Sequence, residues 1–427
     1  MWRFAYLECV SCGAAQPVGY EGYLCPKCGN NLLVRYETEH LRREVREGRF
    51  PDRARSDILR YAAVLPVQGE HLFPPLRVGG TPLYARPGLA AAVGISELFF
   101  KDDGLNPSGS LKDRASAVAL AVARARGVSM VAGASTGNAG SSMACMAAAM
   151  GTPCTIFVPA GAPEAKIAQL LVFGARVVAV RGSYDDAFDL CLELAGKHGW
   201  FNRNTGYNPF TREGKKTVAY EICEQLRWEA PHWIVVPVGD GNIISAVGKG
   251  LEEMAAMGLI RRRPRLLCAQ AATSAAVSRT LWKIERSGAG GTSGAEVWCE
   301  LPGLLECVRG AHTVADSICV DRPRDGVAAV RAIMESGGAA VTVDDDMILQ
   351  AVAELGRKAA IFAEPAAAVT WACLRKAVDT GVVEKSARVV CLITGSGLKD
   401  VASTQRAVGK PLQVEPDVEA VERSLGL

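Results

Sequence analysis

The sequence predicts an α/β protein with parallel sheets, preceded by a small cysteine knuckle. Three observations predict it. From about residue 96 onward, short apolar runs alternate with amphipathic or alanine-rich stretches; several of those runs empty into glycine-rich turns; and the front of the chain carries two closely spaced cysteine pairs. Parallel strands covered by helices on both faces read as continuous apolar runs, whereas half-exposed strands alternate.

Composition sets the bounds. A chain of 427 residues exceeds one typical domain, which implies two principal lobes and a small appendage. Hydrophobic residues make up 49% and charged residues 22%, and 48 basic against 45 acidic side chains leave a net charge of +3. This balance belongs to a water-soluble globular protein and points to neither nucleic acid nor membrane. The opening MWRFAYLECVSCG has no apolar run long enough for a signal peptide, and no later segment reaches about 18 uninterrupted apolar residues. The chain therefore reads as cytoplasmic.

Fourteen cysteines are present, and ten of them, such as Cys145, Cys154, Cys191, Cys268 and Cys391, are scattered through apolar contexts where a reduced thiol behaves as a small hydrophobe. The first four form a pattern. Cys9 and Cys12 in CVSC, then Cys25 and Cys28 in CPKC after twelve intervening residues, let four thiolates converge tetrahedrally from two tight turns. Gly13 and Gly29, each directly after a pair, tolerate the backbone such knuckles require. The reading is a zinc ribbon over residues 1–40; two disulfides or a catalytic CxxC are the competing readings, disfavoured in a reducing compartment. Four thiolates leave no open coordination position, so the metal is structural.

The strand LFFK comes next, followed by NPSGSLKDR, residues 106–114. Ser110 reads as a helix N-cap with Asp113 three residues on, and helical spacing continues from Leu111 to Arg126 before Gly127. Lys112 then sits in the first turn, where the positive end of the helix dipole disfavours an ammonium. Such a lysine releases its proton readily and can form a Schiff base with a carbonyl; the bland alternative is a solvated lysine pairing with Asp113.

Later strands carry further turns of the same style. SMVAGA empties into STGNAGSS, whose small hydroxyl residues, amide and glycines at a helix start offer backbone N–H groups to an anion such as a carboxylate. CTIFVPA and ARVVAV follow as strands. WIVVPV passes through GDGN into another helix, a phosphate-cradling design without the GK[ST] of a nucleotide loop or a full GxGxxG. RLLCAQ is a strand, and SGAGGTSG, residues 287–294, reads as a flexible surface loop. The last strong strand, RVVCLI, ends in Thr394 and two glycines, at the strand edge where open α/β sheets bind ligands.

Taken in order, KDDGLNPSGSLKDR, ASTGN, PEAKIAQL, NPFTREGKKT, PVGDGN, AEPAAA and TGSGLKD resemble the fold-type II pyridoxal-phosphate enzymes, and among them the threonine synthase family. The similarity runs from about Gly79 to Asp400, and the ribbon is similar to an N-terminal extension of some members. The resemblance implies a two-lobed, tryptophan synthase beta-like architecture: the ribbon over 1–40, a large cofactor-binding lobe from 41–127 and 205–427, and a small mobile lobe over 128–204. It implies that Lys112 holds the cofactor covalently and shuttles protons, that Asn138 bonds the cofactor's ring oxygen, and that Gly239, Asp240, Gly241 and Asn242 cradle its phosphate. Thr394 would face the pyridine nitrogen and leave it largely neutral, which suits elimination and replacement over transamination. Ser135 and Thr136 would grip the substrate carboxylate, with Lys166, Asn208, Arg212 and Lys216 as candidates for a substrate phosphate.

The implied reaction converts O-phospho-L-homoserine and water to L-threonine and phosphate, in a homodimer. Several positions depart from the family pattern. Ser108, Leu111 and Ala115 replace residues of NPTGSFKDRG; Thr211 stands where NPxRxEG has arginine, with Arg212 one residue later; and PVGDGN is a residue short, with Asp240 beside an intended dianion. These leave the cofactor intact and keep other substrates open: O-phosphoserine with sulfite, as in a cysteate synthase, or a serine/threonine dehydratase. A non-catalytic homologue that binds a partner through the ribbon is the alternative of a different class.

Overall fold

A computed structural model describes residues 2–162, 164–287 and 295–427. At the front, strands β1 (Tyr6–Cys9), β2 (Ala15–Pro17) and β3 (Leu32–Arg35) form a small antiparallel sheet in the order β2-β1-β3. Its inner face is apolar: Leu7, Cys9, Leu32 and Val34 are fully buried. The sheet is fixed to the body by polar contacts to main-chain carbonyls. Ser11 Oγ donates to Trp298 O, Asn31 Nδ2 to Gly206 O, and Arg331 Nη1 reaches Val10 O.

The body holds two further sheets. Strands β4 (Leu83–Ala85) and β5 (Glu97–Asp102) precede β6 (Val131–Ala134), β7 (Cys154–Pro159), β8 (Arg176–Val180) and β9 (Phe201–Asn202). Strands β10 (Trp233–Pro237), β11 (Arg265–Ala271), β12 (Ala339–Val343) and β13 (Arg388–Ile393) complete the set. One sheet has the order β12-β11-β10-β13-β5-β4, the other β8-β7-β6-β9. Every pairing in both is parallel except β4 with β5. All seven apolar runs noted in the sequence are strands, and their continuous apolar character follows from helices on both faces.

The central strands have almost no exposed side chain. Ile234, Val235 and Val236 of β10, and Val389 through Ile393 of β13, are entirely buried. Burying such aliphatic side chains contributes roughly 1.5–3 kcal/mol each, which is where most of the stability resides. Both sheets deliver the C-terminal ends of their strands toward one region, where β6, β10 and β13 release the turns that carry the candidate site residues.

The helix expected after NPSGSLKDR runs over Lys112–Ala125, but its start differs from the capping expectation. Ser110 does not cap it. The Asp113 carboxylate folds back to accept from Ser108 N at 2.6 Å and Ser108 Oγ at 2.5 Å, while Ser110 forms an isolated bridge with Gly395. Pairing to the β13 edge commits the backbone at 110, and Leu111 N donates to Thr394 O at 2.9 Å. The scattered cysteines also divide: Cys145, Cys154, Cys191, Cys268 and Cys391 are buried, but Cys299 and Cys307 are exposed. The flexible-loop reading of SGAGGTSG falls largely on residues 288–294, outside the described residues. Among the described residues no helix is long and apolar enough to cross a membrane.

Candidate active site

The segment around Lys112 is immobilised by a buried polar network. Arg114, with no exposed surface, donates Nε to Asp103 Oδ2 at 2.6 Å and Nη1 to Glu221 Oε1 at 2.6 Å. Lys101 Nζ reaches the other Glu221 oxygen at 2.6 Å, and Thr81 Oγ1 donates to Asp103. Two buried cations therefore face two buried carboxylates, with hydrogen bonds using the remaining donors, the condition under which buried ion pairs are tolerated. Asn106 tightens the loop further by accepting from Gly79 N and donating to Asp103 O. The consequence is a fixed origin for Lys112 at the first position of its helix.

Lys112 opens into a cavity of about 510 Å³ whose wall includes Ser135, Thr136, Gly137, Asn138, Tyr184, Arg203, Asn204 and Asp240. Desolvation pushes the Lys112 pKa down, with Arg203 adding to the effect and the Glu364 and Asp240 carboxylates opposing it. A lysine with that bias gives up its proton more readily than a solvated one, as a nucleophile or base must. The STGN turn leaves β6 and starts the helix Asn138–Met150, so its N–H groups face the cavity at a helix N-terminus.

On the far side, β10 runs through Gly239, Asp240 and Gly241 into the helix Asn242–Ala256. Gly241 has φ +91°, and a Cβ there would lie 2.6 Å from Ala329 Cβ; one at Gly239 would lie 2.9 Å from Ile318 Cα. Side chains at either position would fill the turn, so its amides stay open to a ligand. Asn242 is held from both ends: Oδ1 accepts from Lys215 Nζ at 2.5 Å, and Nδ2 donates to Asp325 Oδ2 at 2.8 Å. Burial raises the Asp240 pKa, an effect offset by the Arg324 amide and by Lys215.

The structure thus brings Lys112, Ser135, Thr136, Asn138 and Asp240 to one cavity, with Gly239, Gly241 and Asn242 flanking Asp240, and ties buried Thr394 by its carbonyl to the amide of Leu111, the residue before Lys112. Three candidates lie away from this cavity, and Lys166 stands on an adjoining one that shares Thr136, Gly137 and Asn138 with it. Arg212 is locked to Asp325 by contacts of 2.5 and 2.6 Å and donates to Leu32 O of the ribbon. Lys216 pairs with Glu213 at 2.6 Å and Glu253 at 2.8 Å under the Tyr36 ring. Asn208 accepts from Phe210 N and donates to Asn202 O. Lys166 pairs with Asp316 at 2.5 Å and borders a second, larger cavity of about 890 Å³. The substrate-phosphate expectation for Arg212 and Lys216 is corrected on this ground: both cations already have carboxylate partners in the interior, and neither borders the cavity.

Three residues enter that the sequence reading did not assign. Lys215, one position before Lys216, points to Asn242, and its pKa is pushed well below normal by burial and by Arg203 and Lys112. Glu364, in AEPAAA, accepts from Asn138 Nδ2 at 2.9 and 3.0 Å, and desolvation raises its pKa against Asn138, Lys112 and Lys399. Arg203 lines the cavity wall. The signal available for Lys215 was the neighbouring lysine; for Glu364 it was the quoted segment itself.

In the ribbon, the ligand atoms of Cys9, Cys12, Cys25 and Cys28 all lie within 4.8 Å of one another. Gly13 and Gly29 adopt φ of +68° and +73°, and each donates back to the first cysteine of its pair, Gly29 N to Cys25 O at 2.8 Å. That geometry is the paired-knuckle arrangement a tetrahedral ion requires.

A lysine base facing a helix N-terminus, with an open-amide turn opposite, is the apparatus of an enzyme that holds a phosphorylated aldehyde. The chain belongs to the pyridoxal-phosphate dependent enzyme family, whose profile matches residues 75–395. Its relatives include threonine synthases: that of Methanocaldococcus jannaschii is 35% identical over 419 residues, 98% of each chain, and that of Mycobacterium leprae is 36% identical over 371 residues, 87% of this chain and 96% of its own. Solved structures share the fold. Threonine deaminase isoform 2 from Solanum lycopersicum superposes with a TM-score of 0.63 at 19% identity, covering 77% of this chain and 87% of its own, and maize serine racemase with 0.61 at 19%, covering 81% and 91%.

The residues present fit the family's cofactor. The Gly239–Asn242 turn is closed to side chains and backed by the Lys215 ammonium, which suits a phosphate dianion, and Lys112 supplies the amine an aldehyde needs.

Proposed function

We propose that this protein is a threonine synthase, converting O-phospho-L-homoserine and water to L-threonine and phosphate. The observation that carries this reading is the match along 98% of both chains to a threonine synthase. Lys112 would hold the cofactor, with Gly239, Asp240, Gly241, Asn242 and Lys215 at its phosphate, Asn138 at its ring oxygen and Thr394 at its ring nitrogen. When bound, pyridoxal phosphate supplies an electron sink for a carbanion beside the amino-bearing carbon.

The chain's own groups then divide the work. Ser135, Thr136 and the N–H groups of their turn bind the substrate carboxylate at the start of the helix Asn138–Met150. Lys112 Nζ, whose charged form is disfavoured by burial, takes the proton from the substrate Cα and afterwards returns protons to carbon. Loss of a Cβ proton then expels the γ-phosphate, a proton delivered to Cγ makes the future methyl group and leaves Cβ open to water, and the hydroxyl added there becomes that of threonine. Thr394, a neutral hydroxyl, keeps the ring nitrogen from full protonation and so favours side-chain elimination and replacement over transamination. Closure of the 128–204 lobe over the carboxylate would exclude bulk water from side reactions. The ribbon cysteines would hold a structural zinc ion, and the working form would be a homodimer in the cytoplasm.

The test is a paired assay on cofactor-loaded protein. O-phospho-L-homoserine and, separately, O-phospho-L-serine with and without sulfite are supplied, and released phosphate and amino-acid products are measured. Threonine from the first substrate alone is the expected result; cysteate or a keto acid from the second would replace this reading with a phosphoserine enzyme.

A further inference from the structure

Arg203 is the one buried guanidinium among the described residues on the wall of the Lys112 cavity, and none of those residues gives it a direct ion pair; the Asp113 carboxylate acts on it only from beyond hydrogen-bond reach. It follows β9 directly. Its Nε donates to Ser116 Oγ at 3.1 Å and its Nη1 to Thr205 Oγ1 at 2.7 Å, both neutral hydroxyls. Its Nη2 is buried with no partner at all, and so is the Nδ2 of neighbouring Asn204. Arg203 is only 2% exposed.

A desolvated cation held by two hydroxyls is an unfinished ion pair. Every other buried arginine in this region has its carboxylate, Arg114 in Asp103 and Glu221, Arg212 in Asp325. With Asp113 out of contact and Nη2 unpartnered, the fork of Arg203 keeps a free donor, in the arrangement that a tetrahedral oxyanion accepts.

We propose that Arg203, with the Asn204 amide and Thr205 beside it, holds the phosphate that the substrate carries at the far end of its side chain. This rests on the threonine synthase reading and deepens it, because it supplies the phosphate site that Arg212 and Lys216 do not provide. Position separates it from the two other anion sites. The substrate carboxylate has the STGN turn at the start of the helix Asn138–Met150, and the cofactor phosphate has the Gly239–Asn242 turn with Lys215. Arg203 belongs to neither: its anchor, Ser116, stands one helical turn beyond Lys112, on the same helix as the reactive amine. A group bound there would be held within reach of Lys112 and yet outside both cradles.

The test uses cofactor-loaded wild type, Arg203→Gln and Arg203→Lys. Four quantities are measured: KM for O-phospho-L-homoserine, inhibition by inorganic phosphate, affinity for unphosphorylated L-2-aminobutyrate from the change in cofactor absorbance, and cofactor affinity by titration. Loss of a charge-assisted contact predicts that Arg203→Gln weakens O-phospho-L-homoserine and inorganic phosphate by about 10- to 100-fold. Aminobutyrate and cofactor affinities stay within roughly twofold of wild type, and Arg203→Lys recovers part of the loss. An equal loss for aminobutyrate would overturn the proposal in favour of a carboxylate role, and a loss of cofactor affinity in favour of the cofactor's phosphate. Unchanged phosphate inhibition would also overturn it. Should Arg203→Gln fail to fold, Arg203→Lys decides alone, since it keeps the charge and removes the fork. If wild type does not turn over O-phospho-L-homoserine but Arg203-dependent phosphate inhibition persists, the site stands and the threonine synthase reading falls.

Discussion

Glu364 and Lys112 face each other across a desolvated site, and each is pushed toward its neutral form by burial. For the carboxyl this has a definite pH consequence. Its folded-state pKa lies above the unfolded value, so the folded protein binds the extra proton between the two, and the stability it contributes at low pH is lost as pH rises through the folded pKa. Lys112, Lys399 and the Asn138 amide oppose the shift without reversing it. Glu364→Gln removes the titration and keeps an oxygen for Asn138. In cofactor-free protein its Tm relative to wild type should therefore rise as pH is raised above the ordinary carboxylate range, by a few degrees for each 1 kcal/mol. A constant Tm difference above that range in thermal melts would show that Glu364 does not titrate there. At this same scale lies the clearest gap in what the sequence displayed. Lys112 was legible because its setting in NPSGSLKDR is chemically odd. Lys215 and Lys216 were not separable, because adjacent helical residues point about 100° apart and sequence alone does not fix which faces the turn. Ser110 was misread for a related reason: a serine before a helix caps it only when the backbone there is free, and β13 had claimed it.

Among the elements, the ribbon is coupled to the site through a short chain of contacts. Leu32 O of β3 accepts from Arg212 Nη1 at 3.0 Å, Arg212 grips Asp325, and Asp325 holds Asn242 at the end of the phosphate-cradling turn. Four thiolates brought this close repel one another unless a cation neutralises them, so a metal bound there would hold β1–β3 in shape. Stripping it with a chelator should lower the melting temperature by several degrees or more and weaken cofactor binding together with it, whereas Cys307→Ser, an exposed thiol outside the cluster, should change neither. Loss of metal with an unchanged melt and unchanged cofactor affinity would mean that the ribbon is held by its packing alone. The two CxxC pairs made this element readable. Strands β4, β9 and β12 were not, since β4 and β9 have only 3 and 2 residues and β12, AAVTV, is half-exposed at the sheet edge. What defines them is pairing with a long buried neighbour, and that is a tertiary fact.

For the molecule as a whole, the decisive feature is how the two parallel sheets meet across the cavity. The inner contacts of the cleft are polar, Asn138 on Glu364 buried and Lys399 Nζ half-buried, donating to Ser141 Oγ at 2.8 Å and Gln169 Oε1 at 2.6 Å. Those at its mouth are exposed ion pairs, Lys166 with Asp316 and Arg324 with Asp185 at 2.9 Å. In the proposed closure of the small lobe the inner contacts would stay in place, while exposed pairs, worth roughly 0–1 kcal/mol each, would be too weak to lock the cleft but strong enough to bias its opening. Arg324 also lies 4.8 Å from the Phe188 ring centroid, so its guanidinium is held at the mouth by stacking as well as by charge. Asp185→Asn should therefore leave Tm unchanged within about 1 °C, since the Asp185 side chain is 72% exposed, yet raise KM by about two- to fivefold by favouring the open form. Because the pair is screened by salt, wild-type KM should rise toward the mutant's as ionic strength increases from about 0.05 to 0.5 M, and the mutant's should respond less. Parallel salt curves for the two proteins would mean that Asp185 takes no part in closing the cleft, and the ion pair at its mouth would then be an ordinary surface contact.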